Sequence, residues 1–490
     1  MKDIQIIHQN PKKVLEDLSR GEVDAIEFAV DQVTDEFMIY GMRGGLIDKL
    51  SKGFPDPRRE EEISTNLILI ASMAGHFQEM YAISQSPYAL HSPTLLAELG
   101  VNAKVLSEGE GISRRGTKEG APFNGDTILK MVNRIDPHDF ISWYNRDVGE
   151  AYLSLIDYKP TFHILDCTDL KVNLENENYE GSGIAKRKKK KNGKEIEEVV
   201  RGYKLGSLRS LLDDGGIITG MAFGSIEVHD LELCRELLKT TPMLRRGDTL
   251  IVDRGFIDGK TITYMKQKRN VDMIIPLRSD MIAYGDSLVT AYQNNNWEKH
   301  PNREGQEIQY IEHTGWMWEE CKVQLNGCVV RYLKEGKDGS GGREDYEHIV
   351  FVSTNLNLTG KKMLATYDLR TEIEEDHKQW KEGMWDMTGF TSTNLRQILY
   401  HVICVILSYN LCQVYSNTEN GEKHSKKTLR QHRRQQLRSH EVSMLVFSGD
   451  NYALFKAKHF VGYILRLPKE IQEGLLSFFP ESFTVNSGFT

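Results

Sequence analysis

Apolar residues recur near helical spacing in the first part of the chain. The segments LEDLSRGEVDAIEFAVDQV and STNLILIASMAGHFQEM both show this pattern, which is typical of helices with one buried face. Stretches that contain Pro and Gly, at 53–57 and 108–123, interrupt it. We therefore predict a helical N-terminal domain over 1–150.

From about residue 160 the pattern changes to strand-like runs. Four segments read as strands: FHILDCTDLKV, RGYKLGSLRSLL, GIITGMAFGSIEV and DTLIVD. A helix candidate, LELCRELLKTTPML, precedes the last of them. Strands followed by a helix and a further strand predict a mixed α/β sheet.

Between 281 and 365 the chain shows short alternating runs around turn signals. The clearest hairpin candidate is KVQL, then Asn326-Gly327, then CVVRYL. This pattern predicts a β-rich insertion over 281–365, with helices after it.

The last part of the chain contains an apolar run followed by a basic one. Ile398–Leu411 is apolar but shorter than the roughly 20 residues that cross a bilayer, so we predict a buried core helix. The segment 423–438 contains seven Lys and Arg and no acid. We predict a basic helical C-terminal region over 423–490.

Composition and charge narrow the class of protein. Hydrophobic residues make up 39% and charged residues 27% of 490, which is typical of a globular chain of about three domains. The net charge is −8, so a binding site for a polyanion would be local. Six cysteines without zinc-ligand spacing and an N-terminus without a secretory signal favour a cytoplasmic protein.

One segment has a misleading similarity to a phosphate-binding loop. In TLIVDRGFIDGKT a strand precedes Gly259, Lys260 and Thr261. The first glycine of such a loop would stand at 254, where the chain has Arg254, and Gly255 comes one residue late. The loop would lack one residue of the backbone that surrounds phosphate oxygens, which argues against nucleotide binding.

Two apolar strands carry an aspartate near their end. Asp166 lies in FHILDCT, and Asp253 ends TLIVD. Carboxylates at the edge of a rigid sheet can hold a divalent cation. Aspartates also end strands merely because they cap turns, so each residue alone leaves both interpretations open.

A third acid lies among cations in YDLRTEIEEDHKQWK. Four charged residues share one helical face, at i, i+4, i+8 and i+11: Arg370, Glu374, Lys378 and Lys381. Tyr367 comes one turn earlier. The segment is either an exposed helix with ion pairs such as Arg370–Glu374, or a site where Glu374 binds metal and the cations bind phosphates.

The pattern of these residues resembles that of the DDE insertion-sequence transposases. The YREK signature of that family is present as Tyr367-x2-Arg370-x3-Glu374-x6-Lys381. The segments LDCTD and VDRGF resemble its two aspartate motifs, in the same order. Thr371 and His377 stand where many relatives have Trp and Phe, and these differences leave the carboxylates in place.

The resemblance implies an α/β fold with a ribonuclease-H-like mixed sheet core, in segments 151–280 and 366–422. It implies that Asp166, Asp253 and Glu374 hold two Mg²⁺ ions, with Mn²⁺ as a substitute, and catalyse cleavage of transposon ends and their joining to target DNA. Asp169 is the alternative to Asp166, although strand alternation would turn it to the opposite face. Another ribonuclease-H-like nuclease or resolvase, or a DNA-binding protein without catalysis, remains an alternative function.

The resemblance also implies the partners. These are double-stranded DNA, as transposon ends and target, and a second copy of the chain in a homodimer; no membrane is expected. The residues expected to bind DNA phosphates are Tyr367, Arg370, Lys381, Lys378 and Arg254. The region 1–150 and the segment 423–438 are further candidates for DNA contact. The run Lys186–Lys191 is either a DNA contact or a solvated hairpin tip, since acids flank it.

Tryptophans in the insertion raise a further possibility. Family members with such an insertion can excise through a DNA hairpin, which requires a base to leave the stack. Trp297, Trp316 and Trp318 are candidates to stack on that base, or else are core residues. Trp297 ranks first because its surroundings are polar. On a regular strand, Trp316 and Trp318 would point the same way.

Overall fold

The structure is a computed structural model that describes residues 8–30, 33–59, 63–91, 95, 123–191, 194–315, 317–382, 385–418 and 442–478. The chain divides into two compact units. The first contains residues 1–136, 383–392 and 396–490, and the second contains 137–382 and 393–395. Both ends of the chain therefore belong to the first unit.

The described N-terminal region combines helices with two short strands. In chain order these are β1 (His8–Gln9), α1 (Pro11–Arg20), β2 (Ala25–Val30), α2 (Val33–Arg43), α3 (Leu46–Gly53), α4 (Thr65–Phe77), a 3₁₀ helix (Ile83–His91) and α5 (Asp126–Val132). Local residues define both ends of α1. The Asn10 side chain accepts a hydrogen bond from the backbone N–H of Lys13, and Gly21 ends the helix in the left-handed conformation at φ 74°.

The middle of the chain begins with helical turns and continues into the main sheet. Its first elements are α6 (Pro137–Trp143), a π-helical turn (Tyr144–Val148), α7 (Gly149–Leu153), β3 (Phe162–Val172), β4 (Gly183–Lys191), β5 (Lys194–Leu211), β6 (Gly216–Ser225), α8 (Asp230–Thr240) and β7 (Thr249–Val252). After it come a 3₁₀ turn (Arg254–Phe256), α9 (Gly259–Tyr264), a π-helical turn (Met265–Arg269) and β8 (Asp272–Pro276).

The remaining elements complete both units. The second unit continues with α10 (Ile282–Asn294), β9 (Glu298–Lys299), β10 (Gln306–Thr314), β11 (Leu325–Leu333), a 3₁₀ turn (Gly342–Asp345), β12 (Tyr346–Ser353), α11 (Gly360–Asp368) and α12 (Thr371–Glu382). The chain then returns to the first unit with α13 (Leu395–Ser416), β13 (Val442–Ser448), β14 (Asn451–Lys456), α14 (Ala457–Ile464) and α15 (Lys469–Leu476).

The two ends of the chain share one small sheet in the first unit. The strand order is β1-β14-β13-β2, in which β13 pairs antiparallel with both β14 and β2, and β1 pairs parallel with β14. Val14 and Leu18 of α1 pack with Val446 of β13 and Phe460 of α14 in one buried cluster. The predictions of a helical N-terminal domain and a helical C-terminal region are therefore wrong for β2, β13 and β14. The apolar spacing gave a wrong prediction here because Gly21 ends α1. The residues after it form β2, which pairs with β13 from the other end of the chain.

Helix α13 is a core helix of the first unit. Its Ser408 hydroxyl donates to the Met73 carbonyl at 3.2 Å, and the hydroxyls of Tyr400 and Ser72 lie 2.8 Å apart. It is long and apolar enough to cross a membrane by length and composition, and 89% of its most apolar window is buried inside the structure. The prediction of a buried helix at Ile398–Leu411 is confirmed. The helix packs on α4 within the first unit, so the predicted core segment 366–422 is divided between the two units.

The second unit is organised around a mixed sheet that has ten strands in the described part of the chain. The order is β4-β5-β3-β7-β8-β12-β11-β10-β9, and β6 also pairs with β5. Strands β3, β7 and β8 are parallel, and the other neighbours are antiparallel. This α/β arrangement agrees with the predicted mixed sheet and is consistent with a ribonuclease-H-like core.

The predicted insertion is a continuation of this sheet. Strand β12 pairs with β8, with Val352 opposite Ile275, so β9–β12 extend the core. The predicted turn at Asn326-Gly327 is wrong, because both residues lie inside β11. The Asn326 side chain donates to the Tyr310 hydroxyl and to the Leu356 carbonyl. A Cβ at position 327 would lie 3.1 Å from the Thr314 side chain, so β11 is closely packed at this glycine.

Candidate active site

Strand register places Asp166 beside Asp253. Leu165 of β3 is opposite Val252 of the parallel strand β7, and each aspartate is the next residue of its chain. Neighbouring strands lie roughly 4.8 Å apart, so the two carboxylates leave the sheet side by side. Asp166 Oδ1 accepts a hydrogen bond from its neighbour's N–H, and Asp253 Oδ1 accepts one from Gly255 N–H at 2.7 Å.

The third acid comes from a helix packed over these strands. Ile373 of α12 is buried in one cluster with Ile164 of β3 and Ile251 of β7, which holds the helix above the two aspartates. Glu374 is the next residue of the helix. Tyr367 lies in α11 and Arg370 lies in the turn between the helices, so the predicted single helical face is interrupted.

One guanidinium joins the three acids. Arg370 Nη2 lies 3.7 Å from Asp166 Oδ2 and 3.8 Å from Asp253 Oδ2. Arg370 Nη1 also forms an ion pair with Glu374 Oε1. Residues from three separate segments of the chain therefore form one charged cluster, beside the middle of β3 and just after the end of β7.

Burial disfavours the charged form of the two aspartates in this cluster. Burial raises the pKa of Asp166 to about 7, and the neighbouring Asp253 and Glu374 add to the effect that Arg370 opposes. Burial likewise raises the pKa of Asp253. Arg370 brings one positive charge to three carboxylates, so the cluster has room for further positive charge.

The donor set fits a hard divalent cation. Mg²⁺ and Mn²⁺ prefer carboxylate oxygens, and three carboxylates converge here. Among the described residues no group of three or more acids, His or Cys is already arranged as a coordination shell. Arg370 stands between the acids instead, so we expect its guanidinium to move when a cation binds.

Two further predicted residues lie at this cluster. Lys381 Nζ donates to the Thr168 hydroxyl at 2.7 Å, and Thr168 follows Asp166 by two positions on the same face of β3. Tyr367 packs on Phe351, with ring centroids 4.7 Å apart. Burial raises the pKa of Tyr367 to about 12, so its phenol remains a hydrogen-bond donor. Lys378 is exposed on α12, and Arg254 is exposed next to Asp253.

Comparison with protein families supplies the identification. The model of the Transposase DDE domain matches residues 157–411. The chain belongs to this family of DDE transposases. The chain matches no curated protein. DDE transposases act on DNA and generally use divalent metal ions, which agrees with the acidic cluster.

The rival aspartate of the transposase lies elsewhere. Asp169 Oδ1 and Oδ2 accept hydrogen bonds from Arg187 of β4, at 3.0 and 2.5 Å. It lies three positions after Asp166, an odd number, so strand alternation turns it to the other face of β3. Asp169 is therefore placed away from Asp253 and Glu374.

The tryptophans have different surroundings from those predicted. Trp297 is half-buried, with the Arg331 guanidinium 3.9 Å above its ring and Tyr292 at its edge. One face of the first-ranked stacking candidate is thus covered. Trp318 lies in a turn after Gly315, whose φ is 74°, so it is not part of a regular strand. Trp316 lies outside the described residues, as does the basic segment 423–438.

The sequence analysis missed residues that position the acids of the transposase. Arg209 of β5 is buried and pairs with two acids of α12: Arg209 Nε donates to Asp376 Oδ2 at 2.7 Å, and its Nη1 pairs with Glu372. Lys204 Nζ donates to Asp230 Oδ1 at 2.7 Å, close to Asp253. No motif marks these residues, because their pairing depends on strand register.

The loop that resembles a phosphate-binding loop has another role. The Asp258 carboxylate caps α9 by accepting hydrogen bonds from the N–H and the hydroxyl of Thr261, at 2.8 and 2.6 Å. The hydroxyl that a nucleotide-bound metal would need is therefore engaged within the helix. This agrees with the sequence argument against nucleotide binding.

Proposed function

We propose that this transposase cuts the DNA ends of its own mobile element and joins the 3′ ends to target DNA by two-metal-ion phosphoryl transfer. The observation that carries the proposal is the convergence of Asp166, Asp253 and Glu374 on Arg370. The complete YREK spacing favours the insertion-sequence class of the family. Bound Mg²⁺ would supply Lewis acidity at the attacking and leaving oxygens.

The residues of the chain have distinct roles in this proposal. By the family resemblance, Asp166, Asp253 and Glu374 would together hold the two ions. Arg370 would leave the acids and bind a phosphate near the cleaved end, since its Nε is buried without a hydrogen-bond partner in the described part of the chain. Lys381 would bind a neighbouring phosphate, because it already reaches the Asp166 face of β3.

A second copy of the chain belongs to the proposal. Joining two ends of one element requires both ends to be held at once, so we propose a homodimer as the active form.

The first prediction tests the acids one by one. Asp166→Asn, Asp253→Asn and Glu374→Gln should each abolish strand cleavage of element-end DNA while leaving binding largely intact. Amides keep the shape but lose the charge that a hard cation needs. Cleavage is measured on end-labelled duplexes in Mg²⁺, resolved on a denaturing gel.

Asp169→Asn is the matched control, because Asp169 lies on the same strand but faces Arg187. This variant should still cleave. Mg²⁺-dependent cleavage by any of the three acid variants would remove that residue from the site. If the wild type binds the ends but never cleaves them, the chain is a DNA-binding protein without catalysis.

A further inference from the structure

The hairpin of β4 and β5 extends the active-site face of the sheet. Asp166 is opposite Ser207 of β5, and Val172 is opposite Arg201. Beyond Arg201, β5 pairs with β4, with Lys186 opposite Val199 and Lys188 opposite Glu197. Paired residues share a face and alternate residues repeat it, so Lys186 and Lys188 lie on the Asp166 face.

This face of the hairpin is the solvent-exposed one. Ile184, Lys186 and Lys188 are exposed, whereas Ala185 and Arg187 between them are partly buried. The buried side is held to the sheet, because Arg187 pairs with Asp169 and donates to the Ile226 carbonyl. One face of the hairpin is therefore held by these contacts, and its other face is exposed to solvent. We call residues 183–202 the arm.

The arm is basic in a chain that is acidic overall. Residues 186–198 contain seven Lys and Arg and three Glu, a net charge of +4, against −8 for the whole chain. The Lys186 ammonium lies 4.0 Å from the Glu197 carboxylate, and both side chains are mostly exposed. Such an exposed pair contributes roughly 0–1 kcal/mol at most, so phosphate can replace the carboxylate at little cost.

Strand geometry sets the reach of the arm. Glu197, opposite Lys188, precedes Ser207 by ten positions, so Lys188 lies roughly 33 Å from the level of Asp166 along β5. One turn of B-DNA measures about 34–36 Å. A straight duplex with its end at the acids, running along the arm, would bring phosphates to Lys188, about one helical turn away, and to Lys186, two residues nearer the acids.

We propose that the exposed face of the arm, with Lys186 and Lys188, binds the phosphate backbone of the DNA whose end lies at Asp166. The contact is independent of base sequence and holds the duplex in line with the acids. This inference rests on the proposed function, because that function places the cleaved phosphate at the acidic cluster. The occupant is duplex DNA, since a lysine-rich face complements a regular line of phosphates.

The test compares duplex length with the salt dependence of binding. Two fluorescent duplexes from the end of the element are used, one of about 30 base pairs and one of about six closed by a hairpin loop, too short to reach the arm. Affinity is measured by fluorescence anisotropy over a series of NaCl concentrations. The Lys186→Gln/Lys188→Gln variant should lower the slope of log K against log[salt] by about two on the long duplex only.

Two matched variants sharpen the test. Glu197→Gln removes an acid from the same face and should raise affinity for the long duplex. Lys239→Gln/Lys268→Gln removes the same charge from exposed positions in α8 and in the π-helical turn Met265–Arg269, and should leave the slope unchanged.

Three outcomes would overturn the inference: an unchanged slope for the arm variant, an equal loss in the Lys239→Gln/Lys268→Gln control, or altered self-association in gel filtration with unchanged DNA binding. If the wild type cleaves while the arm variant keeps its slope, only the arm is refuted. If the wild type cleaves neither duplex, the proposed function fails, and the slopes still decide whether the arm binds DNA.

Discussion

At the scale of single residues, the buried carboxylate of Asp166 links metal binding to stability. Its pKa is about 7 in the folded protein against an ordinary value of 3.8. Between these values the folded state binds the proton and the unfolded state does not. Stability is therefore lost as the pH rises from about 4 to about 7, which is the reverse of the usual behaviour of an ion-paired acid.

The second prediction follows from this direction of the pH dependence of stability. In metal-free buffer at pH 8, Asp166→Asn should be more stable than the wild type, by roughly 4 kcal/mol at most, because a tenfold change in proton affinity is about 1.4 kcal/mol. Mg²⁺ should raise the Tm of the wild type and much less that of the variant. Thermal unfolding with EDTA and with Mg²⁺ measures both effects. Equal Mg²⁺ stabilisation of wild type and variant would argue against an ion at Asp166.

The third prediction concerns Lys381, which donates to Thr168 beside the acids. If it binds a phosphate of the cleaved end, Lys381→Gln should lower the salt slope of binding to that DNA by about one. Lys239→Gln, at an exposed lysine of α8, is the control and should leave the slope unchanged. A variant with an unchanged slope but a lower Tm would assign Lys381 to helix packing alone.

At the scale of elements, a buried ion pair fixes the helix that carries Glu374. Arg209 of β5 and Asp376 of α12 are each almost fully buried, and Glu372 also pairs with this arginine. Glu374 projects from the same helix, so its height above Asp166 depends on this attachment. Burying an ion pair of this kind costs desolvation energy. We therefore assign it mainly the role of holding α12 in position.

The fourth prediction tests this attachment. Arg209→Met removes the buried cation with which both Asp376 and Glu372 pair, and should destabilise the protein by about 3–5 kcal/mol. Cleavage should fall, and half-maximal activity should need more Mg²⁺, because Glu374 is displaced. Arg303→Met is the control, since its pair with Asp368 is partly exposed and contributes less than about 1 kcal/mol. Denaturant unfolding and Mg²⁺ titration of cleavage measure the two effects.

Arg209→Lys separates position from stability. It keeps the positive charge and should recover part of the Mg²⁺ dependence. If Arg209→Met loses stability but keeps the wild-type Mg²⁺ dependence in conditions where it is folded, the pair is structural only.

At the scale of the whole molecule, both ends of the chain complete the first unit. Strand β13 pairs with β2 from the N-terminal region, and α13 packs on α4. The family match, over residues 157–411, includes α13 as far as Leu411, whereas the ten-stranded sheet belongs to the second unit. The boundary of the family and the boundary of the folded unit are therefore different.

The fifth prediction follows from this division. A fragment of residues 1–136 should aggregate when expressed alone, because β2 loses its neighbour and α4 loses the apolar cover of α13. Co-expression with residues 383–490 should give a soluble, co-purifying complex. Gel filtration and circular dichroism follow the outcome. A monomeric fragment 1–136 that unfolds cooperatively by itself would refute this description of the unit.

The sequence by itself determined the chemistry of the candidate site. The order of the two aspartate segments, and the spacing of Tyr367, Arg370, Glu374 and Lys381, are properties of the chain and can be read without coordinates. The strands β3, β5, β6 and β7 were also predictable, because their apolar runs are local and long. The choice between Asp166 and Asp169 followed from strand alternation, and the pairing of Asp169 with Arg187 agrees with it.

Only the tertiary structure decided how these pieces combine. The adjacency of Asp166 and Asp253, the attachment of α12 through Arg209, and the pairing of β2 with β13 all depend on contacts between residues distant in the chain. Asn326-Gly327 shows the same limit, since a typical turn dipeptide became part of β11 between two partner strands. Local propensity is worth about 1 kcal/mol or less per residue, whereas pairing and burial across a sheet sum over many residues and prevail.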